Sequence, residues 1–100
     1  MMLLKLGVDI SRLNREIRRT LKTVESIYRE LAEEEAVITS TYNGIHNESS
    51  LHYANNAYDI RKPYKKQVEI FKAIADALGK DIDCIKEVNH IHIEYDPKGG

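Results

Sequence analysis

Two apolar periods share this chain, and they change over at one place. Leu13, Ile17, Leu21, Val24, Tyr28 and Leu31 recur at every third or fourth residue, with Arg, Lys and Glu between them. That is the spacing of one helical face, and it predicts a long amphipathic helix from about Ser11 to Glu34, with Asp9 or Ser11 able to cap its start. After the acidic run Glu33 to Glu35, read as a solvated helix end, "AVITSTY" is rich in β-branched residues and reads as a strand. A chain of 100 residues has room for one core, so helix and strands must pack on each other as a single domain.

"NGIHNESS" then has the Asn, Gly and Ser density of a loop, and "AYDIRK" is a short strand ending before Pro63. Pro63 suits the first turn of a second helix that presents Val68, Phe71, Ala75 and Leu78 on one face and exits at Gly79. "DIDCIKE" and "HIHIEY" read as two last strands joined by a turn around Val88 and Asn89. The expected fold is α+β: a small, mostly antiparallel sheet with a long N-terminal helix and a second helix.

With 15 basic against 16 acidic side chains, no global field draws the chain to nucleic acid, and no such partner is expected. One cysteine, Cys84, excludes an intramolecular disulfide; in an apolar strand it reads as a small buried residue. The opening "MMLLKLGVDI" is broken by Lys5 and meets Gly7 and Asp9 instead of a small-residue cleavage site. It is read as mature protein, made in the cytoplasm without a signal peptide, and no segment is apolar enough for membrane insertion.

Alternation along a strand puts His90, His92 and Glu94 on one side of the last strand, with Ile91 and Ile93 on the other. Ala57, Asp59 and Arg61 likewise share a face, and His52 lies just upstream. If the two strands are neighbours, His52, Asp59 and a C-terminal histidine converge. Two imidazoles and one carboxylate are a suitable donor set for catalytic zinc, with a fourth position left for water. Glu87 or His90 is the candidate to take that water's proton. Ser49 and Ser50 lack a supporting acid and are not favoured as nucleophiles. Spacing alone does not separate a ligand set from a hydrogen-bonded histidine pair.

The wording is more specific. "GIHNESSLHYANNAYDI" resembles the zinc segment of the D-Ala-D-Ala metallopeptidase and hedgehog signalling-domain superfamily, whose pattern runs approximately S-L-H-Y-x-G-R-A-x-D-I, and "NHIHIEYDP" resembles its closing H-x-H strand. The resemblance spans about Val37 to Pro97 and is greatest to short single-domain peptidases of bacteria and phages. It implies a zinc peptidase that hydrolyses an amide bond in peptidoglycan peptides, next to D-Ala, as a carboxypeptidase or endopeptidase. His52 and Asp59 match the first two zinc ligands. The third is His92 if the second histidine of H-x-H ligates, with His90 as helper; an E-x-x-H reading instead makes Glu87 the base and His90 the ligand. The first register is preferred, with Glu87 still the candidate base. His46 matches an additional upstream histidine, and Ser50, Tyr53 and Arg61 would line the substrate cleft. Three departures stand out: Asn55 and Asn56 replace Gly-Arg, Asn43 replaces an arginine that grips a substrate carboxylate, and Asn89 replaces an acidic residue. They leave endopeptidase action open and admit an alternative, a non-catalytic zinc-binding module of the hedgehog type. A metal-free α+β domain is a third reading.

Overall fold

The computed structural model describes residues 2–11, 13–41 and 56–96. Its elements are β1 (Leu3–Leu4), α1 (Arg15–Arg18), α2 (Thr20–Ile27), a π-helical turn (Tyr28–Ala32), β2 (Val37–Ser40), β3 (Ala57–Arg61), α3 (Gln67–Leu78), β4 (Ile82–Lys86) and β5 (His90–Tyr95). The strands form one sheet in the order β1-β2-β3-β5-β4, antiparallel except for the β1–β2 pair. The α+β class and the mostly antiparallel sheet are as the sequence predicts.

The long N-terminal helix is not. Its residues form two successive helices and a π turn, the first break beside a side-chain hydroxyl and the second at a change in backbone geometry. Thr20 Oγ1 donates to Ile17 O at 2.7 Å and meets Tyr58 Oη at 2.7 Å. A hydroxyl bonded three residues back competes with the backbone ladder where α1 gives way to α2. At the far end the backbone N–H of Glu33 donates to Tyr28 O, the i to i+5 bond of a π turn, and Glu33 itself is left-handed at φ 56°. The wider turn brings Ala32 into the core and leaves Leu31, expected on the buried stripe, 38% exposed.

The acidic run is more than a solvated end. Glu34 Oε2 accepts the backbone N–H groups of Tyr64 (2.8 Å) and Lys65 (3.3 Å), tying the π turn to the segment before α3. That segment also corrects the place given to Pro63, which is fully buried four residues ahead of α3 instead of in its first turn; Gln67 Nε2 donates to its carbonyl. In α3 the inner face is Ile70 and Ile74, flanked by Phe71 and Leu78, while Val68 is 65% exposed. The predicted face is rotated, with Val68 on the outside. Gly79, at φ 81°, ends the helix as expected.

Ile17, Val24 and Tyr28 from the N-terminal helices and Ile70 and Ile74 from α3 pack with Ile38, Tyr58, Ile60, Ile91 and Ile93 of the sheet in one buried cluster. The helices therefore cover one sheet face. Tyr28 Oη donates to Arg61 O at 2.5 Å, fixing a helix to the end of β3. No helix among the described residues is long and apolar enough to cross a membrane.

Candidate metal centre on the polar face of the sheet

Because side chains alternate, the isoleucines that enter the core force their neighbours onto the other face. Strand register then sets those neighbours in rows. Arg61 pairs with His90; Asp59 pairs with His92, which pairs with Ile85; Ala57 pairs with Glu94, which pairs with Asp83. Glu87 extends the first row, since its backbone N–H donates to His90 O at 2.9 Å across the hairpin. A shift in register between Ile38 and Ser40 sets Ser40 opposite Asp59. Such bulges re-aim side chains, and they are common beside functional sites.

The centre of this face is a chain of three groups. His92 Nδ1 lies 2.7 Å from Asp59 Oδ1, and His92 Nε2 lies 2.6 Å from Glu94 Oε1. Their side chains are only 16%, 15% and 19% exposed, so the contacts are shielded from water. With an acceptor on each ring nitrogen, the imidazole is stabilised as the doubly protonated cation. The Asp59 hydrogen bond raises its pKa above the ordinary histidine range, burial opposes it, and Glu94 adds to the rise.

His90 is arranged differently. Its Nδ1 lies 2.6 Å from Asn89 Oδ1, and its Nε2 is 3.6 Å from Asp59 Oδ2. The amide oxygen of Asn89 thus accepts the ring N–H that an acidic residue would otherwise take. Both imidazoles face the same carboxylate, His92 in contact and His90 at a distance. Lys62 Nζ donates to Val88 O at 3.0 Å, which anchors the hairpin turn against the end of β3.

Two of the three expected ligands, Asp59 and His92, are in direct contact, and both ring nitrogens of His92 are taken up by carboxylates; the third, His52, lies outside the described residues. Among the described residues, the group of three ligand atoms within 4.8 Å of one another is a different one, Asp83, Glu94 and Asp96. All of its donors are hard oxygens, a set that suits calcium or magnesium better than zinc, and acidic clusters of this kind are common without an ion.

The predicted residues divide accordingly. Asp59, Arg61, Glu87, His90 and His92 come together on neighbouring strands or the hairpin that joins them. The other expected site residues, His46, Ser50, His52 and Tyr53, lie outside the described residues. The Arg61 guanidinium stacks over the Tyr64 ring, 5.0 Å from its centroid. Cys84 is half-buried, and burial pushes its thiol up to about 11, so it is protonated at neutral pH. Tyr58 is fully buried and belongs to the core.

Sequence reasoning placed Glu94 on the correct face but gave it no role, and it left Asp83 out. Both were accessible from a two-residue turn at Val88 and Asn89, because that turn fixes Asp83 opposite Glu94. No protein-family model matches the chain, and no curated protein matches it.

Proposed function

We propose that this chain is a zinc-dependent peptidase of the D-Ala-D-Ala metallopeptidase and hedgehog type, hydrolysing an amide bond in bacterial peptidoglycan peptides next to D-Ala. The observation that carries the reading is the direct Asp59–His92 contact, made by two residues that the "SLHYANNAYDI" and "NHIHIEY" segments single out independently. Two segments remote in sequence bring their candidate ligands to adjacent strands. The hedgehog-like arrangement of the sheet and helices belongs to the same proposal.

In this reading His52, Asp59 and His92 hold the zinc, which supplies Lewis acidity toward a carbonyl oxygen and lowers the pKa of water. Glu87 takes the proton from water and returns it to the leaving amine. His90, its ring set by Asn89, lies beside Asp59 and donates toward the developing oxyanion. His46, Ser50, Tyr53 and Arg61 are the residues assigned to binding the peptide. The substrate lies in the cell wall, which a chain made in the cytoplasm would reach after release.

A second reading is favoured by the three asparagines. Asn43, Asn55 and Asn56 stand where the family has an arginine or a Gly-Arg pair, and a domain without those groups can keep zinc as a binding module that no longer turns over. One experiment separates the two. Protein purified without chelator or histidine tag is analysed for metal by elemental mass spectrometry, then assayed on peptidoglycan fragments beside Glu87→Gln. About one zinc per chain with hydrolysis lost in the variant supports the peptidase. Zinc without hydrolysis in either protein supports the module, and absence of metal after zinc is supplied sinks both.

A further inference from the structure

We infer that the segment from Arg61 to Lys66 is a carboxylate-binding surface that holds an acidic peptide against one end of the polar sheet face. The inference rests on the peptidase reading for the kind of ligand, and on no metal-binding residue for the grip.

Four of these six residues are cations, Arg61, Lys62, Lys65 and Lys66, in a chain whose formal net charge is -1. Among the described residues none of the four forms an ion pair with a carboxylate. Like charges held this close repel one another, and an anion that settles among them relieves the repulsion. A run of solvated lysines would be an ordinary surface if its backbone were free to spread them. This backbone is fixed at every step. Lys62 Nζ donates to Val88 O, Pro63 is fully buried, and Gln67 Nε2 donates to the Pro63 carbonyl. Glu34 Oε2 accepts the backbone N–H groups of Tyr64 and Lys65, so the nearest acid engages the backbone and not a lysine head. Lys66 is held left-handed at φ 54°, a conformation that lysine seldom adopts and that collects at ligand-binding segments. Tyr64 is 73% exposed, and its ring carries the Arg61 guanidinium 5.0 Å from its centroid. The stack fixes the direction of the one cation able to grip a carboxylate with two parallel hydrogen bonds.

Position selects the occupant. Arg61 pairs with His90, so the cationic segment starts in a row of the candidate site. Four residues back along β3, Ala57 pairs with Glu94, which pairs with Asp83, and Asp96 joins those two acids. The polar face is therefore positive at one end and negative at the other, roughly 13 Å apart at the rise of an extended strand. A nucleic acid or other long polyanion laid along it would run from the cations into these carboxylates, where like charges repel. A short peptide with its carboxylates grouped at one end meets the cations and reaches the candidate site with its uncharged part.

The test uses the full chain without metal, so that neither probe is consumed. The probes are acetyl-Glu-Glu-D-Ala-D-Ala and its neutral counterpart acetyl-Gln-Gln-D-Ala-D-Ala, titrated by calorimetry and by amide NMR at low salt. The wild type should prefer the diacid by about three- to thirtyfold, the contribution of two exposed ion pairs. The preference should shrink as salt is raised, and the shifted amides should centre on Arg61 to Lys66. Combining Arg61→Gln, Lys65→Gln and Lys66→Gln should abolish the preference, whereas Lys72→Gln, an exposed lysine on α3, should keep it. Circular dichroism checks each fold; if the triple variant is unfolded, Lys65→Gln with Lys66→Gln and the salt dependence of the wild type decide.

Equal affinity for the two peptides, failure to bind either, or a preference that survives the triple variant overturns the inference. So does tighter binding of a thymidine hexanucleotide than of the diacid, which would make the segment a general polyanion surface. The peptidase reading fails separately: a diacid preference lost in the triple variant, in a zinc-supplied chain that hydrolyses nothing, would leave a peptide-binding face without an enzyme.

Discussion

A single imidazole between two carboxylates gives the metal-free protein a defined response to pH. Because the Asp59 hydrogen bond raises the His92 pKa in the folded chain, with Glu94 adding to it, the pair contributes stability that is fully present below the unfolded value of about 6.5. That contribution is lost as pH rises through the higher folded value. Urea midpoints of metal-free protein should fall across this range, and His92→Gln should flatten the slope; an unchanged slope in the variant would remove His92 as its source. Elsewhere, Tyr58→Phe should cost about 1 kcal/mol. Thr20 Oγ1 would still donate to Ile17 O, so only one bond is lost, and the midpoint of chemical denaturation reads it. The strand faces of Asp59, His90 and His92 were legible because the period of two is local. Contacts were not, since whether His92 or His90 touches Asp59 depends on how β5 registers against β3, a pairing between segments remote in sequence.

Elements were legible in kind more than in extent. The strands β2, β3, β4 and β5 follow from β-branched runs and turn residues, and α3 follows from its apolar period. The first helix stops short of what its period predicts, because the period continues through Thr20 and the π turn, where the backbone is redirected by a hydroxyl and by a left-handed residue. Strand β1, only two residues long, has too little sequence for any period, and it exists because Leu3 N–H donates to Ala36 O and Lys5 N–H to Ile38 O. The left-handed Glu33 has a measurable cost. A side chain there costs roughly 1–2 kcal/mol relative to glycine, offset in part by the greater chain entropy glycine loses on folding. Glu33→Gly should therefore stabilise the protein by about 0.5–1 kcal/mol. It also removes a negative charge from a helix C-terminus. Thermal unfolding of the variant checks this, and a lower midpoint would mean that the Glu33 side chain makes a contact worth more than the strain.

At the scale of the whole molecule, the candidate site and the core are two faces of the same sheet, so metal and packing should be coupled. If zinc binds only the folded chain, a free concentration near 100 times its Kd adds about 2.7 kcal/mol of stability. Chelation should lower the melting temperature, and His52→Ala should abolish the shift along with the metal. Glu87→Gln, by contrast, should retain the shift while losing hydrolysis. The sheet has a further consequence, which concerns folding errors. β5 lies between β3 and β4, with Ile91 and Ile93 inward and His90, His92 and Glu94 outward. If it docked one residue out of step, the two imidazoles and the carboxylate would be driven into an aliphatic interior and the isoleucines would be expelled to the other face. The groups proposed for chemistry therefore also act as a proofreading device: a misaligned chain is penalised by the same side chains that a correctly aligned one displays.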